Sequence, residues 1–187
     1  MKLKATSVEE ILSSSRKIVQ EKGLSGISMR SVAAEAGVAT GTLYHYFPDK
    51  DALMLAVTAD IWEDIFDLEA LGKNGQGFSE AVSLLFRHAS EKIEAYPGFL
   101  ELHGTDLAGK GGAAKEGAAR MHAFFRKIEG YLLSALERDR RVRPDAFDAG
   151  MSEEGFVSFV LEHLITLLAL GRKDCSVLTA VIDRVLY

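Results

Sequence analysis

Residues 28–55 read SMRSVAAEAGVATGTLYHYFPDKDALML, and their spacing decides how the N-terminal quarter of the chain folds. Ser28 is a helix N-cap by type, and Met29, Val32, Ala33 and Ala36 follow on one helical face. Gly37 breaks that helix. A second short helix runs over Thr40–Phe47, with Leu43 and Phe47 stacked at i, i+4. Two short helices joined so tightly need a small residue where they cross and a permissive one in the turn. Ala33 and Gly37 supply these, Val38 plugs the corner, and Leu43 anchors the second helix from below. Pro48-Asp49 then opens a long helix, expected from Lys50 to about Leu71.

Upstream, Ser7-Val8-Glu9-Glu10 has capping-box spacing, and Ile11, Leu12, Ser15, Ile18 and Val19 form a helical stripe that Gly23 ends. Downstream, Gly72–Gly77 reads as a loop. Helices are then expected over about Phe78–Tyr96, Phe99–Leu107 and Ala113–Arg138, in a stretch ending at Leu170, and over Ser176–Leu186. Pro97, Gly109–Gly112 and Arg143-Pro144-Asp145 separate them. No segment alternates apolar and polar residues between turn signals, so no strand is expected. The fold class is all-α with about nine helices. A three-helix helix-turn-helix domain occupies residues 1–49 and a helical bundle residues 50–187, with the helix at Lys50 as connector.

The chain has 187 residues, 48% hydrophobic and 26% charged, which is ordinary for a globular protein and too apolar for disorder. Its one cysteine, Cys175, excludes an internal disulfide framework and fits a reducing compartment. The N-terminus lacks the apolar core of a signal peptide. Phe156–Leu170, the longest apolar run, is interrupted by Glu162 and His163 and is too short for a bilayer. A cytoplasmic protein without membrane contact is expected. The net charge of −5 is unevenly placed: residues 1–50 carry seven Lys/Arg and five Asp/Glu, the rest 15 and 22. Positive charge gathered at one end suits a polyanionic partner.

The second short helix projects Thr40, Gly41, Thr42, Tyr44 and His45 outward: short hydrogen-bonding groups, polar-tipped rings and a glycine that permits close approach. Such a face suits a DNA major groove. Arg30 lies two residues past the Ser28 cap, and Lys50 lies in the first turn of the long helix. A helix N-terminus disfavours cations by about 0.3–1 kcal/mol, and an external anion such as a DNA phosphate resolves the conflict.

The pattern Ala33-x-x-x-Gly37-Val38, then Gly41-Thr42-Leu43-Tyr44-x-Tyr46-Phe47-x-x-Lys50-x-x-Leu53, resembles the DNA-binding region of the tetracycline-repressor (TetR) family of transcription regulators. The likeness extends back to about Ser7 and covers roughly a quarter of the chain; the remainder matches only in length, helix number and composition. It implies a homodimer on a palindromic double-stranded DNA operator, released by a small-molecule effector. By position it implies that Arg30, Thr40, Gly41, Thr42, His45 and Tyr46 face bases or flanking backbone, and that Tyr44 and Lys50 hold phosphates. Met29 stands where many members have a polar residue, and Asp49 replaces the usual Ser or Asn cap.

Other chemistry finds little support. Gly104–Gly111 nearly spells a P-loop, but Gly111 stands where Mg²⁺ needs Ser or Thr, and no strand precedes it. The five histidines show no ligand spacing, and His103, Asp106 and His122 make a zinc site only if distant residues converge. No nucleophile motif appears, so no enzyme, metal or cofactor is expected. Cys175 reads as buried and inert.

Phe156–Leu170 holds 11 apolar residues in 15, and Leu178, Val181, Ile182 and Val185 follow at helical spacing. A monomer would leave too much of this exposed, so the last two helices, the eighth and ninth, are expected to pair with their copies. Phe86, His88, His122, Phe125, Phe159, Glu162 and His163 mix aromatic and polar groups and are the candidate lining of an effector cavity. Few charges among them favour an uncharged, hydrophobic effector. Glu162 and His163 equally suit solvent or the dimer interface. The rival readings are an activator or ligand-independent regulator, or an all-helical binding protein or enzyme that kept the motif.

Overall fold

The computed structural model describes residues 6–71, 77–99 and 112–187, with side chains from residue 122 onward in the last stretch. Every regular element among the described residues is helical. They divide into two compact units, the first made of residues 1–64 and 93–122, the second of 65–92 and 123–187. The expected loop at residues 72–76 and the expected helix beyond Phe99 lie outside the described residues. So do the P-loop-like stretch, His103 and Asp106.

In the first unit, α1 (Val8–Lys22) starts at Ser7, whose hydroxyl accepts the Glu10 N–H at 3.2 Å. Its stripe of Ile11, Ser15, Ile18 and Val19 is buried, and the Ser15 hydroxyl donates to the Ile11 carbonyl at 2.8 Å. After a 3₁₀ turn, Leu24–Gly26, α2 (Met29–Ala36) begins on a complete capping box. Ser28 accepts the Ser31 N–H, and the Ser31 hydroxyl accepts the Ser28 N–H. Met29 is buried, which explains an apolar residue at that place.

Gly37 ends α2 at φ +69°, a left-handed conformation that costs an L side chain about 1–2 kcal/mol. The Val38 N–H then closes on the Ala33 carbonyl, and the chain turns into α3 (Thr40–Tyr46). Helix α1 packs on α2 and α2 on α3, around fully buried Leu43 and Val32. Asp49 caps α4 (Lys50–Phe66) by accepting the Ala52 N–H at 2.7 Å. Further along, Arg16 of α1 reaches Asp60 at 3.1 Å and Asp64 at 3.5 Å on α4. The Tyr96 hydroxyl donates to the other Asp64 oxygen at 2.7 Å.

The long helix expected to reach Leu71 is interrupted. Asp67 takes φ +32°, and its carboxylate accepts the Ala70 N–H, so it starts a one-turn helix α5 (Leu68–Leu71). A side chain that caps so readily competes with continuing the helix. In the second unit, α6 (Phe78–Ile93) stops three residues short of the expected Tyr96, in a turn whose Gly98 has positive φ. Helix α7 (Gly112–Arg138) follows, and its residues from 123 onward belong to this unit. The Arg143-Pro144-Asp145 break lies in turns. Asp148 accepts the Gly150 and Met151 N–H groups, and Ser152 caps α8 (Glu153–Ala169).

Helix α9 (Ser176–Leu186) packs on α8. The core holds Phe78, Leu85, Phe86, Ile128, Leu132, Val160, Leu164 and Ile182. The Phe78 and Phe156 rings meet at 5.8 Å, and the Phe66 and Phe124 rings at 5.9 Å. One polar cluster ties the chain end into this unit. The Asp139 carboxylate accepts the Phe78 N–H that opens α6, the Arg141 N–H and guanidinium, and the Tyr187 hydroxyl. Arg141 also makes a two-pronged bond to Glu80, at 3.1 and 2.8 Å.

Candidate nucleic-acid interface

With Leu43 of α3 and its C-cap Phe47 turned into the core, the opposite face of this helix has nowhere to go but outward. Tyr44 is 53% exposed, and Gly41 and His45 are exposed as well. A Cβ built on Gly41 meets nothing within 4 Å, so this glycine answers no packing need of its own chain. Thr40 and Thr42 are half-buried at the rim of the face. The result is a short helix presenting hydroxyls, an imidazole and bare backbone, with no acidic side chain on it.

Two cations flank the face. Arg30, the second residue of α2, and Lys50, the first of α4, are both exposed, and neither has an ion-pair partner among the described residues. Each stands at a helix end whose free N–H groups already favour an anion. Tyr46 differs from its neighbours. Its hydroxyl donates to the Thr6 carbonyl at 2.6 Å, and its ring stands edge-on to His45 at 6.3 Å. Of the helix-turn-helix residues, Ala33, Leu43 and Phe47 are buried, Val38 is half-buried, and Gly37 is exposed at its left-handed turn.

The candidate cavity residues differ widely in exposure. Phe86 is buried in the core, and Phe125 is half-buried with its ring 5.7 Å from Phe124. His88 is half-buried, and its Nε2 is closed off from solvent without a hydrogen bond among the described residues. His122 is exposed. On α8, Phe159, Glu162 and His163 all point outward, with Phe159 55% exposed and stacked on His163 at 6.3 Å. Periodicity cannot set the rotation of a helix apolar on nearly every side.

That outward face of α8 continues onto α9. Val177 is 77% exposed and Val181 43%, and a groove of about 610 Å³ runs between Met151, Gly155, Phe156, Phe159, Val181 and Val185. Cys175 is buried, and burial pushes its thiol upward, away from the reactive thiolate. No group of three or more His, Cys, Asp or Glu among the described residues has the geometry of a metal site. No described helix is long and apolar enough to cross a membrane.

Residues 5–57 match the family described as bacterial regulatory proteins, tetR family. The chain is 38% identical over 91 residues to the HTH-type transcriptional repressor KstR of Rhodococcus jostii, covering 48% of this chain and 42% of that protein. It is 35% identical over 57 residues to the HTH-type transcriptional regulator BetI of Burkholderia thailandensis, covering 30% and 29%. These matches span less than half the length of either relative. Nearly the whole chain, 96%, superposes on 95% of the transcriptional regulator FadR from Bacillus subtilis in complex with stearoyl-CoA. The TM-score is 0.57 at 16% identity, a likeness of fold.

Proposed function

We propose, from the match of residues 5–57 to the tetR family of bacterial regulatory proteins, that the chain is a sequence-specific, double-stranded DNA-binding transcriptional regulator. It acts as a cytoplasmic homodimer that represses from a palindromic operator until a small hydrophobic effector releases it. The observation that carries the reading is the exposed α3 face with open Gly41, flanked by Arg30 and Lys50 at helix N-termini without acidic partners among the described residues. Residues 1–49 form the DNA-binding domain and residues 50–187 the effector and dimer domain, with α4 connecting them. Thr40, Gly41, Thr42 and His45 face base edges and Arg30 reaches one. Tyr44 and Lys50 hold phosphates, which fixes register without choosing sequence.

The dimer forms through α8 and α9. Support comes from Phe159, Leu170, Val177 and Val181, large apolar side chains left exposed on these two helices and the turn between them. Phe159 and His163 belong to this interface rather than to a cavity, with Glu162 beside them. The effector site keeps Phe86, Phe125 and His88, whose closed-off Nε2 offers a polar contact to an otherwise apolar ligand. An effector acts only by binding the released conformation better than the DNA-bound one. Selection from a pool of random duplexes tests the function. Enrichment of one inverted repeat, its half-sites a helical turn apart, is expected. No enrichment above an unrelated helical protein overturns it.

A further inference from the structure

Thr6 stands immediately before Ser7, the cap of α1, and Tyr46 is the last residue of α3. The Tyr46 hydroxyl donates its one proton to the Thr6 carbonyl at 2.6 Å, a direct tie between the ends of two helices that both pack on α2. A phosphate oxygen only accepts hydrogen bonds, so a phenol committed in this way has no proton left for one. The bond holds the ring at its far end, as the backbone holds it at the near end. His45 beside it is exposed and has no hydrogen bond or ion pair among the described residues. What its imidazole does meet is the Tyr46 ring, edge-on, with centroids 6.3 Å apart and planes at 85°. Rings prefer this edge-to-face arrangement, and a ring so placed fills space the imidazole would otherwise sweep.

We propose that Tyr46 is a positioning residue: tied to Thr6, its ring holds the His45 imidazole in the orientation that reads a base edge, and its own hydroxyl does not hold DNA. The proposal rests on the DNA-binding reading above. By position, the TetR resemblance sets Tyr46 among the groups that face the duplex, and the bond to Thr6 gives it a different task. An unrestrained imidazole on a helix has about two χ1 wells, since the third clashes with the preceding turn, and roughly two ring orientations in each. One of these roughly four states puts a given ring nitrogen on a given base edge. Apparent affinity scales with the fraction of the protein already in the competent state. Loosening the Tyr46 ring therefore weakens binding by about two- to fourfold, and the whole loss passes through His45. Phosphate contacts, which carry no sequence information, are untouched.

The full-length chain, Tyr46→Phe, His45→Ala and the double variant are titrated with the duplex the parent selects and with single-base-pair substitutions of it, and each is melted. Tyr46→Phe keeps the ring and removes only the bond to Thr6. A loss of about two- to fourfold on the selected duplex is expected, at an unchanged melting temperature. In the His45→Ala background the same change is expected to cost nothing further, because the group it positions is gone. The loss is also expected to vanish on duplexes substituted at the base pairs that His45→Ala no longer distinguishes, and to persist on the others. Parental affinity in Tyr46→Phe overturns the proposal, while the duplex-binding reading stands. So does a loss that adds in full to that of His45→Ala, or one equal on every duplex, which marks Tyr46 as a phosphate contact or a structural residue. A parent that selects no duplex removes the DNA reading itself, and the positioning role with it.

Discussion

Replacing Asp139 by Asn tests whether the cluster at the chain end holds the second unit together. The Asp139 side chain is 1% exposed and accepts bonds from the Phe78 N–H at 2.9 Å, the Arg141 N–H at 3.1 Å, Arg141 Nε at 3.0 Å and the Tyr187 hydroxyl. Asn keeps the shape but loses the charge, and its NH₂ then faces N–H donors. Breaking one partner of a buried charge pair costs about 3–5 kcal/mol; half-exposed Arg141 is screened, so about 3 kcal/mol is expected. At ~2–4 °C per kcal/mol for a chain of this size, the melting temperature falls by about 6–12 °C at fixed protein concentration.

The pH dependence adds a second check. Burial alone would raise the Asp139 carboxyl, but the bonds from Arg141, Tyr187 and the Phe78 N–H outweigh it and hold it well below its ordinary 3.8. The same burial and bond push the Tyr187 hydroxyl up to about 12. A carboxyl depressed in the folded state stabilises fully above its unfolded value, and that contribution is lost as pH falls below about 4. Parent and Asp139→Asn therefore converge toward pH 2. Urea unfolding at pH 7 and pH 2.5 reads both numbers. A variant within 0.5 kcal/mol of the parent at pH 7, or a gap unchanged at pH 2.5, refutes the reasoning.

Gly41→Ala should stabilise the fold by about 0.5–1 kcal/mol, since its Cβ meets nothing and the position is helical, while weakening duplex binding. A stabilised variant with parental affinity would remove Gly41 from the interface. Lys50→Ala should lower the salt slope by about 0.9 and weaken all duplexes alike, measured by titration at several salt concentrations. Val181→Glu should turn a micromolar dimer into a monomer in sedimentation velocity, because it puts a charge into an apolar face; a monomeric parent would sink the α8–α9 interface.

Local rules carried the N-terminal unit. Ser7, Ser28 and Gly37 signal caps and a left-handed turn within a few residues of the bonds they make, so a linear reading finds them. The failures share a cause as well. Asp67 interrupts a stretch whose neighbours all favour helix, because its carboxylate caps Ala70 instead. The start of α8 had no local signal strong enough to place it: the helix opens after the Ser152 cap because Asp148 ties the residues before it into turns. Its apolar residues run nearly all round, so nothing local said that Phe159, Glu162 and His163 face outward. Tyr46 and Asp139 make bonds across 40 and 61 positions, beyond the reach of any spacing rule.

Whether α3 reads bases is tested most directly by running the parent, Thr42→Ala and His45→Ala through the same random-duplex selection. All three are expected to enrich inverted repeats of the same spacing, each variant differing from the parent at the same one or two positions in both half-sites. Identical preferred sequences from parent and both variants, or no enrichment by the parent, would contradict the account.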